Sequence, residues 1–238
     1  MKYIFILPFL FLLTACGNNR SDSDTTLQST SSDSTTGKRP GGYEVKQLAG
    51  VFYDTLPCAD CPGIATKVYL KPDNTFVMEQ EYVGKNTFYQ TGIWQVTDSL
   101  LQLIGTSSPQ RFKIINYAEL ELLDTEGKEI NSPKKLELYR NNIPFKPMQA
   151  VPVEGVFSAK NDTMNIHICS MQRDYPATLA PTAMILTSKY KQAAKDGEPI
   201  YAKLAGHFEL RPSLNDTTTQ DFFVVEKFIK FDPKQQCK

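Results

Sequence analysis

Two cysteines three positions apart, Cys58 and Cys61, have the types and spacing in this sequence that most directly suggest chemistry. They lie in the stretch LPCADCPGI, where prolines and a glycine restrict the backbone on both sides. Such a pair can close a small disulfide ring, exchange electrons, or bind a soft metal ion as thiolates. Which of these applies depends on the compartment, on the element that follows the motif, and on other ligands within reach.

The N-terminus predicts export and a lipid anchor. Residues 1–15 combine a positive charge with an apolar run too short to span a bilayer, which is typical of a signal peptide. They lead into Leu13-Thr14-Ala15-Cys16, which resembles the bacterial lipobox; an ordinary signal-peptidase site is the alternative. We expect Cys16 to be the lipidation site and its acyl chains to anchor the protein without spanning the membrane. In the sorting rule known for enterobacterial lipoproteins, Asp after the acylated cysteine retains the protein in the inner membrane, so Gly17 favours the outer membrane.

The segment after the lipobox predicts a tether. Residues 16–42 are almost entirely small and polar, so they cannot bury enough apolar surface to offset the entropy of ordering. The whole chain has 26 basic and 26 acidic residues and no basic stripe. This balance argues against nucleic acid and anionic membrane surfaces as partners.

The rest of the chain predicts two all-β domains. Residues 43–140 contain short alternating strands about ten residues apart with turn residues between them, which indicates a meander barrel. The proline-rich stretch 141–152 favours a boundary. Residues 150–238 contain further strands and one predicted helix over 182–196, with Thr182 as N-cap and Gly197 as stop. Strands around a single helix in so short a segment favour a small OB-type barrel.

The same residues carry a resemblance to a known family. The LPCADCPGI stretch, the following strand, the Asp73-Asn74 turn and Gly92-Ile93-Trp94 resemble the N-terminal domain of the NlpE family. Cys169, the helix, the stretch AGHFEL and Cys237 resemble the OB-fold C-terminal domain of its fuller members. The resemblance implies an outer-membrane lipoprotein linked to envelope stress and copper tolerance, with a lipocalin-like first barrel and a Cpx-type sensor histidine kinase as partner.

Four cysteines remain if Cys16 carries lipid, and export exposes them to an oxidising environment. Of the three possible pairings we favour Cys58 with Cys61, by adjacency, and Cys169 with Cys237, which the family resemblance also implies. The chain-entropy model gives about 4 kcal/mol for the longer loop and about 2 kcal/mol for the small ring. The second bridge is therefore expected to stabilise its domain, and the first to be a clasp or a redox-sensitive contact.

Alternative chemistries for Cys58 and Cys61 can be ranked from their surroundings. A thioredoxin-like enzyme has its CxxC at a helix N-terminus, whereas this motif precedes a predicted strand, so we expect no enzyme activity. A zinc site needs two more ligands, and the histidines, His167 and His207, fall in the other domain. Two thiolates can bind Cu(I) if they are reduced, with Met78 as a possible assistant.

A carrier of a small apolar ligand is a further alternative, because the first domain is rich in aromatic residues. Core filling is the simpler interpretation of these side chains, which are Tyr53, Tyr69, Phe76, Tyr82, Phe88, Tyr89 and Trp94. Our prediction is a monomeric, non-enzymatic, two-domain lipoprotein that senses envelope or surface stress and signals to the kinase. Copper is a possible ligand, and no cofactor is required. A periplasmic Cu(I)-binding protein and a lipocalin-like carrier stay as alternatives.

Overall fold

The computed structural model describes residues 43–195, 197–213 and 218–237. The predicted signal peptide, Cys16 and the tether to residue 42 lie outside these ranges. The described residues form two closed β-barrels, so the predicted all-β class with two barrels is confirmed. No helix in the described ranges is long and apolar enough to cross a bilayer.

The first barrel is an eight-stranded meander. Each strand pairs antiparallel with the next, and β8 pairs with β1 to close the barrel. A one-turn helix, α1 (Val45–Leu48), precedes it and buries Leu48. The strands are β1 Gly50–Leu56, β2 Ile64–Leu70, β3 Thr75–Tyr82, β4 Thr87–Thr97, β5 Leu100–Gly105, β6 Gln110–Asn116, β7 Glu119–Leu122 and β8 Glu137–Asn141.

Alternation along these strands places large apolar side chains inside the barrel. In β2, for example, Val68 and Leu70 are buried, while Lys67 and Tyr69 at the alternate positions are half-buried. The interior is filled by a cluster that includes Phe52, Phe76, Met78, Trp94, Leu101, Phe112 and Leu138. Arg140 in β8 fixes α1, since its guanidinium donates hydrogen bonds to the carbonyl oxygens of Gln47, Leu48, Ala49 and Tyr117.

The second barrel has five strands in the order β9-β10-β11-β13-β12, with β9 also pairing β10 and β12 to close it. β11 and β13 are parallel, and the other pairs are antiparallel. Helix α2 connects β11 to β12, which gives the OB-type topology. The elements are β9 Val151–Lys160, β10 Thr163–Ile168, β11 Arg173–Leu179, α2 Ile185–Ala193, β12 Ile200–Pro212 and β13 Thr219–Phe231.

A tight bend in β12 depends on a glycine. The register between β12 and β13 shifts between Ala205 and Gly206. A Cβ atom added to Gly206 would lie 2.0 Å from the carbonyl oxygen of Val224, so no other residue fits there without moving the backbone. This close approach lets a long strand curve around a small barrel.

Two details of the second barrel differ from the sequence prediction. The helix is shorter than predicted: it begins at Ile185, after a 3-10 turn over Pro181–Ala183, and ends at Ala193. Thr182 is not its N-cap, because the Thr182 hydroxyl donates to the carbonyl of Glu226 instead. The sequence pattern predicts strands at 153–159, 163–169, 200–210 and 222–231 and none at β11, where Pro176 interrupts the alternation. Within the described residues β11 pairs with β13 only from Ala177 onward. Pro176 therefore lies in the part of β11 that pairs with β10 alone, where its missing N–H takes no hydrogen bond from β13.

The two barrels are in contact. Val77 of β3 is fully buried and belongs to the apolar cluster of the second barrel, and Tyr89 and Phe145 pack against the same cluster. Phe145, in the connecting segment, also stacks on Tyr69 with ring centroids 5.6 Å apart. The Thr91 hydroxyl lies 2.7 Å from that of Ser170, which adds a polar contact. The barrels therefore share an interface with both apolar and polar parts.

Candidate functional site

The Cys58–Cys61 loop lies at one end of the first barrel. It connects β1 to β2, and the register between these strands continues to Leu56 and Ile64 at its base. The sulfur atoms of the two cysteines are bonded to each other, with Cα atoms 5.3 Å apart. Both cysteines are half-buried, and the residues between them are exposed. The strands thus hold the pair on the barrel rim, where solvent and macromolecular partners can reach it.

The backbone around this loop is tightly fixed. Gly63 is buried, and a Cβ atom there would lie 2.5 Å from Cγ2 of Thr55. The Gly63 carbonyl accepts a hydrogen bond from the backbone N–H of Val83, which joins the loop to the β3–β4 turn. Lys85 of that turn lies 3.7 Å from the Asp60 carboxylate, an exposed and therefore weak ion pair. The loop is consequently positioned by its own barrel.

The loop also contains a possible metal-binding cluster. The Sγ atoms of Cys58 and Cys61 and a carboxylate oxygen of Asp60 all lie within 4.8 Å of one another. Two thiolates suit a soft ion such as Cu(I), whereas the carboxylate suits harder ions. The sulfurs are bonded to each other in this structure, so binding through them requires prior reduction of the disulfide. With the pair reduced, these residues fit a two-thiolate Cu(I) site.

Other residues considered for metal binding lie elsewhere. Met78 is buried in the apolar interior of the first barrel. His167 faces Asp174, with Nδ1 2.9 Å from the carboxylate, and His207 pairs with Glu226. Both histidines belong to strands of the second barrel. The structure therefore does not bring a histidine together with the cysteine pair.

Cys169 and Cys237 are bonded in the second barrel, with Cα atoms 5.3 Å apart. Cys169 begins the turn between β10 and β11, and its backbone N–H donates to the carbonyl of Glu154. The bridge ties the segment that follows β13 to this turn. It also lines a cleft of about 540 Å³ whose walls come from both barrels, including Tyr89, Thr91 and Tyr201. This disulfide therefore lies beside the interface between the barrels.

Aromatic residues of the first barrel divide between core and surface. Phe76 and Trp94 are buried in the interior. Tyr53 and Phe88 are exposed, the latter by 53%. The Tyr69, Tyr82 and Tyr89 side chains are half-buried on the outside of the barrel or at its interface. Because the interior is filled by the apolar cluster described above, these aromatic residues do not themselves outline a ligand cavity there.

A buried lysine at the interface was missed by sequence reasoning. The Lys71 side chain is fully buried, and its ammonium group lies 3.0 Å from the Asp221 carboxylate and 3.9 Å from that of Asp73. It also lies over the rings of Tyr175 and Phe208, 4.6 and 4.2 Å from their centroids. A lysine in a Lys-Pro-Asp-Asn turn predicts a solvated residue, so no local signal in the sequence identifies this contact.

Charge and burial compete at this interface. Burial lowers the pKa of Lys71, although Asp221 and Asp73 oppose the shift by favouring the charged ammonium. Burial alone would raise the pKa of Asp73, but the Lys71 charge, hydrogen bonds from Thr75 and the Arg173 charge lower it overall. The Tyr175 hydroxyl is within 3.3 Å of the Lys71 ammonium, and burial raises the pKa of this tyrosine. This part of the interface is thus a polar network around the buried Lys71 ammonium group, with the rings of Tyr175 and Phe208 against it.

Comparison with known proteins identifies the family. Residues 52–133 match the model of the NlpE N-terminal domain, and residues 147–238 match that of the NlpE C-terminal OB domain. The chain is 26% identical over 234 residues to Lipoprotein NlpE of Escherichia coli (strain K12), a match that covers 96% of this chain and 92% of that protein.

Two solved structures also align with parts of this chain. The crystal structure of the Cpx pathway activator NlpE from Escherichia coli aligns with a TM-score of 0.32 and 25% identity, over 79% of this chain and 98% of that one. The crystal structure of a putative lipoprotein from Shewanella oneidensis aligns with a TM-score of 0.35 and 29% identity, over 40% of this chain and 91% of that one. With both of its domain models matched in order and one curated relative aligned over nearly its whole length, this chain belongs to the NlpE family.

Proposed function

We propose that this chain is an envelope lipoprotein that activates a Cpx-type stress pathway through an inner-membrane sensor kinase. The observation that carries the proposal is the match to both NlpE domains in order, together with a curated relative named as a lipoprotein. A solved NlpE is described as a Cpx pathway activator, and we extend that activity to this chain. The lipobox at Cys16 and the polar segment to residue 42 support an outer-membrane anchor with a tethered, folded sensor.

The position of the Cys58–Cys61 loop supports a role in which a partner protein binds the loop and responds to its redox or metal-bound state, with no catalytic step. The Cys58–Cys61 pair precedes β2, and in the described part of the chain no helix begins at the motif to lower a thiol pKa. Its loop is exposed on the rim of a barrel whose interior is filled independently of it. A partner can therefore read the state of this loop without any change in the barrel core.

Copper tolerance is the second candidate function, and the Cys58–Asp60–Cys61 cluster favours it. Cys58 and Cys61 would hold Cu(I) as thiolates after reduction of their disulfide, while the exposed Asp60 would contribute charge at most. The ion would supply a change of charge and shape on the barrel rim. Bound there, it would be presented to the same partner that reads the loop.

The experiment for the main proposal uses a Cpx-responsive reporter in a strain that lacks its own NlpE. Expression of the full chain is expected to raise the reporter, and the rise should vanish when the sensor kinase is deleted. Cys16→Ala should remove the protein from the membrane fraction, because it deletes the acylation site. A reporter that stays at its basal level with the anchored wild-type chain would contradict the proposal, and unchanged fractionation of Cys16→Ala would contradict the anchor.

The copper candidate is tested separately by titration of Cu(I) against a chromogenic chelator under reducing conditions. The wild-type chain is expected to compete for one Cu(I), and Cys58→Ser/Cys61→Ser to lose this competition. Cys169→Ser/Cys237→Ser is the matched control and should retain it. Equal competition by both double variants would place copper binding elsewhere.

A further inference from the structure

The second barrel has a cleft that none of the functions above uses. It lies between α2 and the ends of β9 and β10, and it has a volume of about 850 Å³. This is within the range of roughly 300–1,000 Å³ that is usual for small-molecule sites. The walls are largely apolar, with side chains from Phe157, Met164, Leu179, Leu186 and Tyr190.

The cleft exists because α2 covers the barrel end incompletely. The helix has nine residues and buries only Leu186 and Tyr190, which are four positions apart on one face. Met184, just before the helix, lines the cleft and is 61% exposed. Met164 and Leu179 on the opposite wall are only half-buried. Apolar surface therefore remains open to solvent on both sides of the cleft.

The rim of this cleft is positively charged. Lys160 at the end of β9, Lys191 in α2 and Lys195 after it all line the cleft, against one lining carboxylate, Asp162. Among the described residues none of the three ammonium groups forms a hydrogen bond or ion pair. The stem of Lys160 passes close to Gly197, where an added Cβ would lie 3.1 Å from its Cδ. Among the described lining residues, the rim thus has two more positive than negative groups.

An apolar cleft with a cationic rim selects a ligand that combines a hydrocarbon tail with an anionic head. A neutral apolar molecule would leave the lysines unused, and a cationic amphiphile would be repelled. A nucleic acid would need stacking platforms along a basic groove, whereas Phe157 and Tyr190 are buried in the wall.

We propose that this cleft binds a long-chain fatty acid, with the tail along Phe157, Met164 and Leu186 and the carboxylate among the three lysines. The site differs from the lipocalin-like alternative, which concerned the first barrel. It is also independent of the proposed signalling function, since it uses no residue of the cysteine loop.

The test uses the purified full chain and a palmitate analogue that carries a diazirine in its tail. After irradiation, mass spectrometry is expected to find adducts in residues 157–164 and 184–195. Dodecanoate should compete for labelling, whereas dodecanol, with the same tail and no charge, should need at least roughly tenfold more. Dodecyltrimethylammonium should compete least, because the rim repels it.

Variants locate the head and the tail. Lys191→Gln should weaken labelling about 3- to 10-fold, as expected for one partly screened charge contact. Lys189→Gln is the matched control, since this lysine is on the same helix but does not line the cleft. Met184→Glu should weaken labelling more than tenfold and is expected to fold, because the side chain is exposed.

Three outcomes would overturn the proposal. The first is an absence of adducts in the two segments. The second is equal competition by the acid, the alcohol and the ammonium compound, which would show an apolar surface without charge selection. The third is equal labelling of Lys191→Gln, Met184→Glu and the control.

Discussion

Substitution of Lys71 tests whether a buried ion pair joins the two barrels. Lys71→Met keeps most of the side-chain volume between Tyr175 and Phe208 but removes the charge that faces Asp221. Breaking a buried pair costs about 3–5 kcal/mol, because the remaining charge loses its partner. Asp221 retains 21% exposure and Asp73 23%, so water can partly compensate them. We therefore expect a loss of about 3 kcal/mol, at the low end of that range.

The molecule contains its own probe for this measurement. Trp94 is the single tryptophan, and its indole N–H donates to the carbonyl oxygen of Lys71 at 3.0 Å. Its fluorescence during urea or thermal unfolding therefore reports on the first barrel beside the interface, while far-UV circular dichroism reports on both barrels. A loss of about 3 kcal/mol corresponds to a fall in Tm of roughly 6–12 °C for a chain of this size. We also expect the two signals to separate as the barrels uncouple.

Two further variants make the argument refutable. Lys71→Met/Asp221→Asn should recover most of the lost stability, because removing both members of a buried pair is often neutral. Lys113→Met breaks an exposed pair with Glu129 and should leave the free energy of unfolding almost unchanged, because water solvates both partners. If Lys71→Met is as stable as Lys113→Met, or if the double variant is less stable than Lys71→Met, the ion pair does not hold the two barrels together.

Three other predictions concern stability. In urea unfolding, Cys169→Ser/Cys237→Ser should lower the free energy of unfolding by about 2–5 kcal/mol, whereas Cys58→Ser/Cys61→Ser should lower it much less. Equal losses would contradict the roles assigned to the two disulfides. The pKa of Asp73 is lowered on folding, so the stability that this carboxylate contributes is fully present above its ordinary pKa of 3.8 and is lost as the pH falls through the lowered pKa. Asp73→Asn should therefore make the free energy of unfolding fall less steeply with pH below about pH 4. An unchanged slope would exclude Asp73 as the source of this acid sensitivity. Arg140→Gln should cost about 2 kcal/mol by freeing the carbonyl groups that end α1, and an unchanged midpoint would show that α1 is held by packing alone.

Most strands could be predicted from the sequence because each has one face toward its own barrel interior. Alternation of this kind is a local signal: Val68 and Leu70 point inward while Lys67 and Tyr69 do not, and nothing distant is needed to detect it. Strand β11 was missed because Pro176 breaks the pattern. The proline is tolerated in this strand because β13 begins to pair with β11 only at Ala177, which the local sequence does not show. The helix was predicted too long because Thr182 has the residue type of a cap but uses its hydroxyl on Glu226.

The candidate site could be predicted only in part, because the sequence shows local features but not contacts between distant residues. The spacing of Cys58 and Cys61 is a local feature, so the sequence identifies the pair and its possible chemistry. The Lys71 network and the cleft beside α2 bring together residues far apart in the chain, such as Lys71 with Asp221 and Lys160 with Lys191. Their functions depend on tertiary contacts that no single segment encodes.

The arrangement of β2 constrains how a change at the cysteine loop can be transmitted. The loop precedes Ile64, at one end of this strand, whereas Lys71 follows Leu70 at the other end. At about 3.3 Å per residue, the two ends are roughly 20 Å apart. In the described residues, the loop's polar contacts go to the first barrel, through Gly63 and Asp60. A change in the thiols or a bound ion therefore does not touch the second barrel directly. Under the signalling function proposed above, a partner that responds to the loop is therefore expected to bind on the rim of the first barrel, away from the interface with the second.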